Sequence, residues 1–282
     1  MKPASIHTAQ VFNSPWDGLY TTCIESNRHY GKHSHATYGF GILESGGQSS
    51  FSGQGSVDAY AGDIITVNPG EVHDGRPIGG AARRWRMVYA APATMAQWAQ
   101  DSSTQGSAIE LAHPVFQNTQ LRTVLKRLLG CLQLWNGTVG TSTLACEEAL
   151  VAACALLTNH PQSAELVSRN AMANKRTVSA GIARVRDRLA ADVSSTITLT
   201  ELAHEAALSK FQLLRHFQKS YGLPPHAWLL QQRAEKARGL IEQGASLVQA
   251  AADTGFADQS HMTRIFARQF GFTPGAWRAA CA

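Results

Sequence analysis

The chain has 282 residues, of which 44% are hydrophobic and 16% charged, with a net charge of +5. That length suits two domains, and that hydrophobic content excludes an intrinsically disordered chain. The excess charge is local. From Arg176 to the end there are 13 Lys and Arg against 8 Asp and Glu, whereas Met1 to Lys175 holds 12 of each, so a polyanionic partner is expected for the C-terminal part alone.

Residues 1 to about 90 read as β. Apolar or alternating segments at Leu19–Ile24, Tyr38–Leu43, Asp63–Val67 and Trp85–Tyr89 are separated by Gly-rich turns. Many short strands with Gly punctuation predict a barrel or a sandwich. Within it, His33 and His35 are two apart and share a side if they lie on one strand. The passages GKHSHATYGFGILESG and AGDIITVNPGEVHDG resemble the two motifs of a cupin barrel, of the kind that serves as an effector-binding domain. That resemblance covers about residues 15 to 90. It places His73 with His33 and His35, and implies a small-molecule site formed by His33, His35, Tyr38, His73 and Arg86. In metal cupins a Glu accompanies such histidines, four or five positions after His35, where this chain has Gly39 and Phe40. Glu44 is too far along to replace it. Three imidazoles suffice for zinc, but the carboxylate of a non-haem iron site is missing, so no metal and no other cofactor is expected. Arg84 and Arg86 share a strand face, either to meet an anionic group or as charges on a solvated edge strand.

From about 114 to 160 the period becomes helical, with Val115, Leu121, Val124, Leu125, Leu128, Leu129 and Leu132 at spacings of three and four. A second helix is expected over about Thr143–Asn159. The pair makes a hairpin that either covers its own barrel or carries a homodimer contact. Residues 161–178 are polar and read as a linker between a domain at 1–160 and another at 179–282. A helix at Ile182–Ala191 opens the second domain. The cysteines Cys23, Cys131, Cys146, Cys154 and Cys281 form no C-x-x-C pair, the pattern of a reduced cytoplasmic protein. The N-terminal MKPASIHTAQVF lacks the apolar stretch of a signal peptide. The longest apolar run, Ala149–Leu157, is too short to span a bilayer, so no membrane partner is expected.

Two later passages match at an offset of 49 residues: RHFQKSYGLPPHAW from Arg215 and RIFARQFGFTPGAW from Arg264. Arg215/Arg264, Phe217/Phe266, Gly222/Gly271, Pro225/Pro274, Ala227/Ala276 and Trp228/Trp277 are identical pairs, and three further pairs keep their chemistry. This is an internal duplication, and two copies are too few for a solenoid. Each copy has a short helix (Thr200–Ala207, Leu247–Thr254), a turn, and a second helix (Lys210–Tyr221, Gln259–Phe270). Capping boxes are predicted at Thr198/Glu201, Ser209/Gln212 and Ser246/Gln249, with Asp258 capping the fourth helix. Gly222 and Gly271 stop the second helices, and Pro225 begins a joining helix that runs to about Glu242. Each copy is a helix-turn-helix.

The outward faces of the second helices are polar and basic. Ser209, Lys210, Phe211, Gln212, Leu214, Arg215 and Lys219 present one candidate DNA-binding face, and Gln259, Ser260, His261, Thr263, Arg264 and Arg268 the other. Arg pairs with guanine, Gln with adenine, and Lys or Thr holds phosphate. Residues from about 180 to 279 resemble the AraC/XylS-type DNA-binding domain, through LTELAHEAALSKFQLLRHFQKSYGLPPHAW, QRAEKARGLIEQG and AADTGFADQSHMTRIFARQFGFTPGAWR. The resemblance implies that both second helices enter the major groove of promoter DNA. Leu214 stands where a polar residue is common in that family, and His216 where an apolar one is usual.

The fold expected is therefore α+β in two domains: an N-terminal cupin-like β-barrel with a helical hairpin, and a C-terminal all-α domain of two helix-turn-helix units. The expected function is a cytoplasmic, sequence-specific transcription regulator without enzymatic activity. Its partners would be double-stranded DNA, a small-molecule effector, a second copy of the chain and RNA polymerase. The competing readings are a metal-dependent cupin enzyme with a DNA-binding tail and a structural DNA protein with a degenerate sensor.

Overall fold

A computed structural model describes residues 5–52, 55–100, 109–135, 143–158 and 173–282. The chain divides into two compact units, one of residues 1–166 together with 279–282 and the other of residues 167–278.

The first unit contains β1 (His7–Asn13), β2 (Leu19–Ser26), β3 (Tyr30–His33), β4 (Tyr38–Ser45), β5 (Gly47–Ser52), β6 (Gly55–Tyr60), β7 (Ile64–Val67), β8 (His73–Pro77) and β9 (Arg83–Ala90). After these come α1 (Pro92–Gln100), β10 (Val115–Phe116), α2 (Thr119–Trp135) and α3 (Thr143–Thr158). One sheet has the order β1-β2-β9-β4-β7-β10 and the other β3-β8-β5-β6, and the pairings among the described residues are antiparallel. Strand β9 is central, between β2 and β4, so Arg84 and Arg86 do not lie on an edge strand as one reading of the sequence had it.

Alternation on these strands assigns their faces. Tyr38, Phe40 and Ile42 of β4 lie opposite Ala90, Val88 and Arg86 of β9. Their apolar members join Leu121, Leu125, Leu128, Leu129 and Leu132 of α2, and Ala149, Leu150, Ala153 and Leu157 of α3, in one core. The threes-and-fours spacing in α2 thus covers this unit's own sheet. The other face carries Trp85, Met87 and Tyr89 and looks inward.

The second unit is helical: α4 (Ala173–Ala191), α5 (Leu199–Glu205), α6 (Lys210–Tyr221), α7 (Pro225–Glu242), α8 (Leu247–Asp253), α9 (Gln259–Phe270) and α10 (Pro274–Cys281). Most of the expected linker, residues 161–172, lies outside the described residues. Its last part, 173–178, is the start of α4. Polarity marked that stretch as linker, yet Ala, Lys and Arg are good helix formers, and only the later turns carry buried Ile182, Val185 and Leu189.

Ile182, Val185 and Leu189 pack with Leu202, Leu213, Phe217 and Leu229 to close the first helix-turn-helix. Helix α7, 18 residues and so about 27 Å long, packs on both α8 and α9. Capping boxes form at Thr198/Glu201 and Ser209/Gln212, and Asp258 caps α9 through the His261 amide. At Ser246 only half of the box forms. Its hydroxyl takes the Gln249 amide, but Gln249 Nε2 turns to Asp253 Oδ1 at 2.6 Å. Gly222 and Gly271 end α6 and α9 at φ 73° and 81°, a conformation costly for any residue with a Cβ.

Candidate functional site

Two arrangements concentrate polar chemistry, one in each unit. In the second unit, α6 and α9 present equivalent outward faces. Ser209, Lys210, Phe211, Gln212, Leu214, Arg215 and Lys219 are all exposed, as are Gln259, Ser260, Arg264 and Arg268, while His261 and Thr263 are half-buried. The inward faces are anchored by Leu213 and Phe217 in α6 and by Met262 and Phe266 in α9, so each outward face is held in a fixed orientation. The ion pairs among the described residues leave the basic residues of both faces unused. Three candidate contacts have structural duties. Ser209 caps α6 through the Gln212 amide. Gln212 Oε1 accepts from the Ser209 amide at 3.0 Å, so bidentate reading of adenine requires giving up that bond. The His261 ring rests edge-on against Phe256 at 5.3 Å.

One residue that sequence reasoning missed sets the spacing of this unit. Arg233, on α7, donates to the carbonyls of Val193 at 2.7 Å, Gly255 at 2.5 Å and Ser195 at 3.3 Å. It ties the end of α4 to the turn between α8 and α9.

In the first unit, His33, His35 and His73 come together. His33 ends β3 and lies opposite His73 of β8 in the ladder. His35 lies beyond the end of β3, so the shared strand expected for the pair is not what unites them. The loop after β3 is instead held by the Gly70 amide donating to the His35 carbonyl at 2.7 Å. The ring centroids are 4.3 Å apart for His33/His73, 5.0 Å for His33/His35 and 5.2 Å for His35/His73. Burial lowers the pKa of His33 to about 3, helped by His73 beside it, and burial also lowers that of His73. Both rings are therefore neutral near pH 7.

Tyr38 and Arg86, grouped with these histidines on sequence, lie apart from them. Both belong to the opposite face of the sheet. The Tyr38 hydroxyl donates to the Ile109 carbonyl at 2.5 Å, and Arg86 pairs with Glu44 at 2.6 Å. Arg84 pairs with the same carboxylate at 3.2 Å. The residues that do surround the histidines are aromatic. Tyr89 meets His35 at 5.4 Å and stacks on Tyr20 at 4.9 Å, while Tyr30 meets Trp85 at 5.8 Å. Strand parity could have found them, because Arg83, Trp85, Met87 and Tyr89 alternate with the outward set. Tyr89 also accounts for Gly39: a Cβ there would come within 3.2 Å of the Tyr89 ring, in the place where a metal cupin carries its Glu.

Arg83 is the buried arginine of the stretch, at 0% exposure. It donates to Gln48 Oε1 at 2.7 Å and to the carbonyls of Ser26, Arg28 and Gly75 at 3.0–3.2 Å. Burial lowers its pKa to about 10, so it stays charged at neutral pH. With its donors so engaged it braces the two sheets.

A β-sheet unit with a polar cluster inside it, followed by two helix-turn-helix units on a joining helix, defines a ligand-responsive DNA-binding regulator. The family model for an AraC-like ligand binding domain matches residues 19–153, and that for a helix-turn-helix domain matches residues 202–280. The chain belongs to the AraC/XylS family of transcriptional regulators, with an N-terminal ligand-binding domain and a C-terminal helix-turn-helix DNA-binding domain. It is 26% identical over 230 residues to an uncharacterized HTH-type transcriptional regulator, YbfI, of Bacillus subtilis (strain 168), covering 82% of this chain and 80% of that one. Over 92 residues it is 30% identical to the HTH-type transcriptional activator RhaR of Escherichia coli (strain K12), covering 32% and 33% of the two chains. In fold it is similar to unsaturated fatty acid-bound ToxT of Vibrio cholerae, with a TM-score of 0.51 at 11% identity over 99% of this chain and 96% of that one. Among the described residues no helix is long and apolar enough to cross a membrane.

Proposed function

We propose that α6 and α9 read a specific operator in the major groove, and that the inward face around His33, His35 and His73 receives the effector. The observation that carries this is the duplication itself: two helices, each capped at its start, stopped by a left-handed Gly and anchored by an apolar inner face, present exposed cations in equivalent places. Arg215 and Arg264 are the base-reading candidates, and Lys219 and Arg268 at the helix ends are the phosphate-holding ones. The protein acts by binding and catalyses no reaction. A cytoplasmic location accords with a DNA partner and with the free thiols of all five cysteines. Homodimerisation through α2 and α3, and contact with RNA polymerase, belong to the same reading. For the dimer, the support is Leu134 on α2, which is 64% exposed.

The test is selection of duplexes from a random pool by the full-length protein. Enrichment of a bipartite site, its halves about 10 bp apart, is the expected result, with affinity that falls steeply as salt rises. A pool without enrichment would overturn the reading. Sedimentation of the full chain, alone and with Leu134→Glu, tests the dimer.

A further inference from the structure

We propose that His33, His35 and His73 form a binding site for a divalent transition-metal ion, with three imidazole ligands and an open fourth position. One ligand atom from each residue lies within 4.8 Å of the other two. Imidazoles bind zinc at about 2.0–2.1 Å, which sets tetrahedral ligand atoms about 3.4 Å apart. The cluster therefore closes by at most about 1.4 Å, a change within reach of small ring rotations.

The hydrogen bonds prepare two of the rings for this role. His33 Nδ1 lies 2.8 Å from the Gly31 carbonyl, and His73 Nδ1 lies 3.0 Å from the Glu71 carbonyl. A carbonyl only accepts, so each Nδ1 carries the proton. Each neutral ring then presents Nε2 as a bare lone pair, and its orientation is fixed from behind. This is the support that metal-ligating histidines characteristically receive.

The donor set selects the class of ion. Three neutral nitrogens without thiolate or carboxylate suit zinc, nickel, cobalt or copper and not magnesium or calcium. Glu44 is engaged by Arg84 and Arg86 on the far face. Glu71 and Asp74 lie within electrostatic range of His73, but each serves elsewhere. Glu71 accepts from the Asn68 amide and side chain, and Asp74 accepts from the Phe51 amide. They offset part of the ion's charge from a distance. Neutral ligands leave the rest on the metal, so its open position favours an anionic group.

The inference rests on the proposed effector domain only for its consequence at DNA. The binding itself is measured on the protein alone. Full-length protein, freed of metal by chelator dialysis, is titrated with cobalt(II) and followed by visible absorption, and zinc affinity is measured by competition with a chromophoric chelator. One ion per chain and the intense absorption of a tetrahedral cobalt centre are expected. His33→Gln, His35→Gln and His73→Gln should each weaken binding by at least about 100-fold, while the exposed His29→Ala leaves it unchanged. X-ray absorption of the zinc-loaded wild type counts imidazole ligands without depending on the folding of any variant. Three imidazoles would support the site. Unsaturable binding, or unchanged affinity in the folded glutamine variants, would overturn it. DNA affinity of the metal-free and loaded protein is a separate measurement, so a failed metal site leaves the regulator reading untouched.

Discussion

The guanidinium of Arg233 donates through Nη1 to the carbonyl oxygen of Gly255, 22 residues away, at 2.5 Å. The same group reaches Val193 and Ser195, so one side chain on α7 fixes both the entry to the first helix-turn-helix and the turn of the second. Gly255 is itself constrained. Its φ is +75°, and a Cβ would come within 2.8 Å of the Ser194 carbonyl oxygen.

Arg233→Ala should therefore destabilise the second unit by about 2–3 kcal/mol, since carbonyls lose a charged donor. Arg233→Lys should not restore it, because an ammonium lacks the planar fork that spans several acceptors. Gly255→Ala should cost about 1–2 kcal/mol from its backbone conformation alone, with the approach to Ser194 added. Hydrogen exchange of the full chain is the measurement. Amides of α8 and α9 should lose protection while those of β2 and β9 keep theirs.

In the first unit the comparable residue is Arg83. Arg83→Met should destabilise it by about 3 kcal/mol or more, because buried carbonyls of Ser26, Arg28 and Gly75 are left unpaired. The exposed Arg84→Met should change stability by less than about 0.5 kcal/mol. Urea denaturation of both variants checks the contrast. Equal losses would show that Arg83 braces nothing.

The sequence was informative where local chemistry alone decides structure. The bounds of α6, α7 and α9 follow from Ser209, Asp258, Pro225, Gly222 and Gly271, each acting within a turn of its own position. It was less informative where pairing decides. Strand β5 (GQSSFS) is polar and carries no apolar alternation, and β6 (GSVDAY) offers only Val57 and Ala59, so their neighbours in the sheet decide that they are strands. The histidine cluster was partly readable. His33 and His73 were placed by motif resemblance, but the register that sets Arg83 inward and Arg86 outward is a property of the whole sheet. A one-residue change of parity exchanges the two roles.

Arg264 and Lys219 should separate reading from holding. Arg264→Ala should cost about 1–3 kcal/mol on the best duplex and relax preference at one position. Lys219→Ala should weaken all duplexes alike and reduce the slope of log affinity against log salt by about 1. Titrations on specific and random DNA at several salt concentrations measure both. Equal losses on the two DNAs for Arg264→Ala would make it a phosphate contact.

The two copies should also read different chemistry. Phe211 is 73% exposed and Leu214 37% exposed on α6, where offset-matched positions of α9 hold Ser260 and Thr263. Neither apolar side chain is needed to hold α6, whose inner face is already filled by Leu213 and Phe217. Exposed apolar groups on a reading helix suit the methyl of thymine, whereas Ser and Thr offer hydrogen bonds. Phe211→Ser with Leu214→Thr should thus leave stability within about 0.5 kcal/mol. It should weaken the best duplex by about 0.8 kcal/mol for each methyl no longer covered. Replacing thymine by uracil in the α6 half-site supplies the second arm of the cycle. Wild type should lose the same amount on the uracil duplex, and the double variant should lose nothing further. Independent, additive losses would show that these residues touch no thymine methyl, and that α6 selects its site through its polar side chains.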